Sequence, residues 1–175
     1  MASIFEPTYF IEKIWDIEPD TLKKLGVTAV LADLDNTLVA WNKRDGDERF
    51  FEWNEKLKNN NIQLIVVSNN TTSRVRRAVK PLGLPFESWS LKPLPRGILK
   101  TLKDFNLSKN EVVMVGDQLM TDIIASNIAG VKSVLVKPLV SSDGIMTKIN
   151  RGLANKILSK MDVKWEKDLV EPNRD

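Results

Sequence analysis

Four short apolar runs constrain this chain more than anything else in it: Val27 to Ala32, Ile62 to Val67, Val112 to Val115 and Val131 to Val136. A strand with one wet face alternates apolar and polar residues, whereas a nearly unbroken run must be covered on both faces. Between the runs, apolar residues recur at helical spacing: Phe50, Trp53 and Leu57, then Val75, Ala78, Val79 and Leu82, then Ile98, Leu99, Leu102 and Phe105. Strands alternating with amphipathic helices are repeated β-α units. The pattern predicts an α/β fold, a three-layer sandwich of Rossmann type around a mainly parallel sheet.

Punctuation agrees with the pattern. Leu25-Gly26, Gly83 and Gly130 read as helix stops, Asn59-Asn60-Asn61 ends the helix before the second run, and Pro95 precedes the start of another. Phe86 to Ser90 reads as a short strand, Thr121 to Ala129 as a helix and Ile145 to Met161 as a last, basic helix. Ser108-Lys109-Asn110-Glu111 has the spelling of a capping box, but the strand that follows makes the match read as spurious.

At 175 residues with 42% hydrophobic residues, the chain has the material for one core. With no repeat or linker, residues 1–175 are expected to form a single domain, an N-terminal helical segment 1–25 and the basic helix 145–161 packing on it. The net charge of +3 is too small for a dedicated nucleic-acid binder. With no Cys and no His, disulfides, thiolate or imidazole metal sites, and Cys or Ser-His nucleophiles are excluded. The first residues lack a signal-peptide pattern and no run reaches the roughly 18 apolar residues of a membrane span, so the expectation is a cytoplasmic protein, with peripheral contact to the inner membrane face allowed.

In an open parallel sheet, ligands bind where loops leave the carboxyl ends of strands. Four such ends carry groups suited to one reaction: Asp33 and Asp35, Ser68 with Asn69, Lys92, and Asp117 with Asp122. Hydrolysis of a phosphate monoester needs up to ~10²¹-fold acceleration. A carboxylate attacking an anionic phosphoryl group needs a cation beside it, and Mg²⁺ takes oxygen ligands. Asp33 is the candidate nucleophile. Asp33 and Asp117 are candidate side-chain metal ligands, with Asp35 adding its backbone carbonyl. The Asp35 side chain is the candidate general acid and base. Ser68 and Asn69 would hold phosphoryl oxygens, Thr37 would hold the loop near Asp35 within the substrate site, and Lys92 would supply fixed positive charge. Asp122 would orient Lys92 or a metal-bound water, or else merely favour the start of its helix.

Asp33-Leu34-Asp35-Asn36-Thr37-Leu38 resembles motif I of the haloacid dehalogenase superfamily. Val67-Ser68-Asn69-Asn70 resembles motif II, Lys92-Pro93 motif III, and Gly116-Asp117-Gln118-Leu119-Met120-Thr121-Asp122 motif IV. The resemblance covers about residues 27 to 136 and implies a Mg²⁺-dependent phosphatase working through an aspartyl-phosphate. The short intervals after Thr37 and between Ser68 and Lys92 leave no room for a cap domain, which resembles the cap-less subfamily IIIA. Within it, the wording looks like the group of phosphatidylglycerophosphate phosphatases and their bacterial relatives. That likeness implies a lipid phosphate substrate, against the alternatives of a soluble sugar phosphate, nucleotide or phosphoprotein. A non-catalytic binding or regulatory module with a vestigial site is the rival from another class.

Several features stay open at this stage. Asn36 has no evident role. Trp41 would touch substrate from a flap or pack on the domain. Phe10, Ile11, Ile14 and Trp15 form an apolar stripe read as an opening helix. Lys148, Arg151, Lys156, Lys160 and Lys164 interleave with Ile149, Leu153, Ile157 and Leu158, a pattern that suits anionic lipid or packing on the sheet. Arg74, Arg76, Arg77 and Lys80 would greet an anionic head group or form a solvated helix face. Oligomeric state is not readable from the chain.

Overall fold

The computed structural model describes residues 3–40, 48–140, 145–161, 163 and 165–172, with residues 145–151 described by their backbone. Trp41 lies outside the described residues, as do the side chains of Lys148, Ile149, Arg151 and Lys164.

Six strands form one sheet: β1 (Tyr9–Ile11), β2 (Ala29–Ala32), β3 (Gln63–Val67), β4 (Phe86–Glu87), β5 (Val112–Gly116) and β6 (Lys132–Val136), in the order β1-β6-β5-β2-β3-β4. Every neighbouring pair is parallel. The helices are α1 (Pro19–Lys24), α2 (Glu48–Asn59), α3 (Thr72–Val79), α4 (Arg96–Asp104), α5 (Ile124–Ala129) and α6 (Ile145–Leu158).

The apolar runs are explained by which way each residue points. Val30 and Ala32 of β2, Leu64 and Val66 of β3, and Val113 and Val115 of β5 join one core, with Phe50, Trp53 and Leu57 of α2 and Val75 and Val79 of α3. Their immediate neighbours Ala29, Leu31, Ile65, Val67, Val112 and Met114 join the core on the other face, with Ile98 and Leu102 of α4 and Ala125 and Ala129 of α5. Side chains alternate across a strand, so a strand buried on both sides must be apolar at every position. The result is helix, sheet, helix, and no cap domain occurs among the described residues.

From β2 the chain steps outward through β3 to β4, then returns to β5 on the other side of β2 and steps outward to β6. The direction of winding therefore reverses between β2 and β5. Such a switch point opens a crevice at the carboxyl ends of the two strands.

The N-terminal segment departs from expectation. Phe10 and Ile11 belong to edge strand β1, paired with Leu135 and Val136 of β6, rather than to a helix. Both are at most 1% exposed, which a helical stripe facing one side would not explain as well as a strand covered on both. Only Ile14–Asp16 and α1 are helical there. The free edge of β1 is capped by the end of the chain: Phe10 and Val170 exchange backbone hydrogen bonds of 2.7 and 3.0 Å, and Trp165 meets Phe10 edge-on. Ile157 and Leu158 at the end of α6 sit against Phe10, Leu119, Ile123 and Leu135, so the apolar side of the basic tail packs on the sheet. Lys156 and Lys160 stay exposed. Leu153, by contrast, is an exposed apolar residue.

The Ser108 box is real rather than spurious. The Ser108 N–H donates to Glu111 Oε1 at 3.0 Å, and the Asn110 N–H donates to Ser108 Oγ at 3.4 Å, capping a single 3₁₀ turn, Lys109–Glu111, that runs straight into β5. The capping chemistry needs only one turn, so a following strand does not preclude it.

Candidate active site

Asp33 follows the last residue of β2 and Asp117 the last residue of β5, so both enter the crevice from adjacent parallel strands. Asp122 arrives from a π-helical stretch, Leu119–Ile123. One carboxylate oxygen from each of Asp33, Asp117 and Asp122 lies within 4.8 Å of the others. Gly116 makes the third approach possible: a Cβ there would stand 2.3 Å from the Asp122 carboxyl carbon.

Lys92 binds the cluster together. Its Nζ donates to Asp122 Oδ1 at 2.6 Å, to Asp33 Oδ1 at 2.7 Å and to the Val67 carbonyl at 2.9 Å. An ammonium has three N–H donors, and each has an acceptor here. Burial works to lower the Lys92 pKa, but Asp122 and Asp33 outweigh it and raise the value. The second Asp122 oxygen accepts the Gln118 N–H at 3.0 Å. Both Asp122 oxygens are thus engaged, one by Lys92 and one by the backbone.

The charges do not balance. Burial pushes the Asp33 carboxyl up to about 7, with Lys92 pulling the other way and Asp122 adding repulsion. Burial, then repulsion from Asp122 and Asp33, raises Asp117 as well. Three carboxylates converge in the crevice and the one ammonium bonds two of them, and that surplus of oxygen-borne negative charge is what a hard divalent cation relieves. With both Asp122 oxygens already engaged, Asp33 and Asp117 are the side chains that fit such an ion.

Asp35 is placed differently. Its Oδ1 accepts from Arg74 Nη2 at 2.7 Å and its Oδ2 from Asn70 Nδ2 at 3.1 Å, and its side chain is 26% exposed. Asn36, at φ 64°, makes the turn between Asp35 and the next residues: its N–H donates to the Val39 carbonyl at 2.7 Å and its carbonyl accepts from the Leu139 N–H at 3.1 Å. Asparagine tolerates that left-handed backbone, which supplies the role its sequence context leaves blank.

Thr37 differs from expectation. Its hydroxyl donates to Asp117 Oδ1 at 3.2 Å and the residue is 1% exposed, so it steadies a metal-ligand candidate from behind the cleft instead of facing substrate near Asp35. Asn69 differs too. Its Oδ1 accepts from the Lys92 N–H at 2.7 Å and from Ser90 Oγ at 2.8 Å, and its Nδ2 donates to the Lys92 carbonyl at 2.7 Å. That side chain clamps the loop carrying Lys92. The Ser68 hydroxyl accepts the Asn70 N–H at 3.1 Å, a tight turn at the end of β3.

A cleft of about 300 Å³ brings together Asp33, Asp35, Ser68, Asn69, Lys92 and Asp122. Asn70, Thr71, Trp89, Gln118 and Thr121 also line it and were passed over in the sequence reading. Asn70 and Gln118 stand inside the quoted motifs and could have been found there, and Arg74 was visible only as one of a basic run. Asp117 faces a second cavity of about 570 Å³ between the end of β6 and α6.

Over residues 3–130 the sequence matches the family of haloacid dehalogenase-like hydrolases. It is 37% identical over 170 residues to the protein named "Probable phosphatase YqeG" of Bacillus subtilis, covering 95% of this chain and 99% of that one. Among solved structures, an uncharacterized protein from Listeria monocytogenes superposes with a TM-score of 0.54 at 19% identity, covering 77% of this chain and 99% of the other. The cobalt-bound deoxy-D-mannose-octulosonate 8-phosphate phosphatase of Haemophilus influenzae gives 0.53 at 18%, covering 78% and 90%. These two likenesses concern the fold, whereas the family match spans residues 3–130, which hold β1 to β5; the chain belongs to the haloacid dehalogenase-like hydrolases.

Proposed function

We propose that residues 1–175 work as one Mg²⁺-dependent phosphatase that hydrolyses a phosphomonoester through a phospho-Asp33 intermediate. The observation that carries the reading is the set of three converging carboxylates, two of them bonded to a single buried ammonium, at the switch point of the sheet. The name of the Bacillus subtilis relative supports the same class of reaction.

Asp33 and Asp117, with the Asp35 backbone carbonyl, would hold the Mg²⁺. Bound there, the ion supplies charge neutralisation between nucleophile and phosphate. The chain's own groups do the rest. An Asp33 carboxylate oxygen attacks phosphorus as the bond from phosphorus to the leaving oxygen breaks, and the Asp35 carboxyl gives its proton to the departing alkoxide. Asp35, now a carboxylate, takes a proton from water, whose oxygen attacks phosphorus and breaks the bond to Asp33, releasing inorganic phosphate. Lys92 holds Asp33 in place and faces the transferring charge, while Asp122 and Asn69 position Lys92. Ser68 meets a phosphoryl oxygen.

The resemblance to phosphatidylglycerophosphate phosphatases makes that lipid the candidate substrate. The uncapped cleft supports it, since the bulk of a large substrate can stay outside. Peripheral contact with the inner membrane face would follow; no helix among the described residues is long and apolar enough to cross a membrane.

Phosphate release from 4-nitrophenyl phosphate tests the reaction. Activity is expected with Mg²⁺, loss with EDTA, and a drop of at least ~10³-fold in Asp33→Asn. An Asp33→Asn protein as active as wild type would overturn the mechanism. Micellar phosphatidylglycerophosphate hydrolysed no better than glycerol 3-phosphate would remove the lipid assignment and leave the phosphatase.

A further inference from the structure

Trp89 stands at the cleft with its side chain in the open. It lines the same cavity as Asp33, Asp35 and Lys92 and is 58% exposed. Of the exposed large apolar residues described, Trp89, Leu91 and Leu94 fall within six positions of one another, on the loop that delivers Lys92. An exposed apolar group is commonplace alone, but a tryptophan in the wall of a polar cleft, with two more exposed apolar residues close behind it in the chain, asks for a ligand.

The backbone carries the same message. Trp89 has φ 50° and Leu91 φ 59°, conformations that bulky residues rarely adopt. A set of polar contacts imposes them. The Trp89 N–H donates to the Asn70 carbonyl at 3.1 Å and the Ser90 N–H to the Ser68 carbonyl at 3.0 Å. The Ser90 hydroxyl donates to Asn69 Oδ1 at 2.8 Å with Ser90 only 1% exposed, and Ser88 and Thr72 hydroxyls bond at 2.7 Å. Gly97 leaves the space that Ser90 fills, since a Cβ there would lie 2.4 Å from the Ser90 Cβ. Turning Ser90 inward to Asn69 turns Trp89 outward at the cleft. Backbone strain of this kind persists only where the surroundings over-determine it, and it collects at ligand sites.

The cleft's size completes the argument. At about 300 Å³ it sits at the small end of ligand cavities, room for a phosphoryl group and the first atoms beyond it. The alcohol portion of a substrate must leave past the rim, where Trp89 is. We propose, resting on the phosphomonoesterase reading above, that Trp89 is the specificity-determining residue of the cleft. Its indole packs on the alcohol portion of the substrate, and the phosphomonoesters selected are those whose alcohol turns a C–H face, of a ring or of a chain's carbons, to the indole next to the phosphate. Trp89 takes no part in bond making or breaking.

The test compares 2-phenylethyl phosphate with ethyl phosphate, both esters of primary alcohols of similar reactivity and one bearing a ring. Wild type should favour the phenylethyl ester by about tenfold in kcat/KM, Trp89→Ala should reduce that to about twofold or less by losing more on the phenylethyl ester than on the ethyl ester, and Trp89→Phe should restore most of it. A wild type without the preference, a Trp89→Ala protein that keeps it, or an equal loss on both esters overturns the proposal. Calorimetric binding of the two esters to Asp33→Asn, with and without Trp89→Ala, reads the same preference without turnover. If wild type hydrolyses neither ester, the phosphatase reading falls, and the calorimetric preference and its dependence on Trp89 still decide for or against the indole contact.

Discussion

The floor of the cleft and its rim both carry acids paired with bases, but they are built by different means. On the floor, Asp33 leaves a central strand, Lys92 reaches it from a clamped loop, and Asp122 closes the set, with exposures of 7%, 5% and 1%. On the rim, Asp35 and Arg74 pair at a similar distance, 2.7 Å, but their side chains are 26% and 25% exposed. Water screens the second pair and hardly reaches the first. The difference matches the proposed division of labour. Holding a nucleophile against an anionic phosphate needs fixed charges in a dry place, whereas a group that gives up and regains a proton in each cycle must stay within reach of water and of a departing alcohol.

Lys92→Met is the substitution that would strain this comparison most. It keeps much of the bulk and removes the charge, leaving Asp33 and Asp122 buried without their counter-ion. Stability should fall by ~3–5 kcal/mol, read by denaturant unfolding, because breaking a buried pair strands its partner. Turnover should fall by at least ~10³-fold in the same protein. A Lys92→Met protein within ~1 kcal/mol of wild type would mean the floor is not the coupled unit its geometry describes.

The rim should answer in activity with little change in stability. Asp35→Asn should lower kcat by ~10²–10⁴-fold, the range of a lost general acid. Arg74→Ala, which removes a partner of Asp35 and leaves Asn70 in place, should lower kcat by about tenfold and move the unfolding free energy by no more than ~1 kcal/mol. Were Arg74→Ala as destabilising as Lys92→Met, the distinction between floor and rim would collapse.

The same contrast explains what could be read in the chain before its structure. Asp33 and Asp117 can be placed at the crevice because parallel strands buried on both faces write continuous apolar runs, and these two acids follow where those runs stop. The rim cannot, because its members meet through loops: Arg74 reaches Asp35 across 39 positions and Ser90 meets Asn69 across 21. No periodicity marks such contacts. The Thr37 hydroxyl meets Asp117 rather than the surroundings of Asp35, since the direction of a side chain leaving a turn depends on a backbone that local spelling does not specify. Tyr9–Ile11 was misread for a related reason. Three residues are too short to show a period, and the strand exists because β6 and the end of the chain at Val170 pair with it from either side.

The smallest expected effect is also the most specific to the floor. Without metal, burial holds the Asp33 carboxyl at about 7 where the unfolded chain titrates near 3.8. A carboxyl raised in this way binds its proton more tightly in the folded state, so its contribution to stability is present below the unfolded value and is lost as pH climbs through the folded one. Asp33→Asn has no such proton to lose. In EDTA, the thermal midpoint of Asp33→Asn should therefore gain steadily on wild type between about pH 4 and pH 7, and the difference should level off above that. Added Mg²⁺ should narrow the gap at about pH 8, since a cation beside Asp33 and Asp117 stabilises the ionised wild-type floor more than a floor carrying a neutral amide. A difference in midpoint that stays flat across this range would mean that Asp33 is not held in the dry, charge-crowded setting that separates the floor of this cleft from its rim.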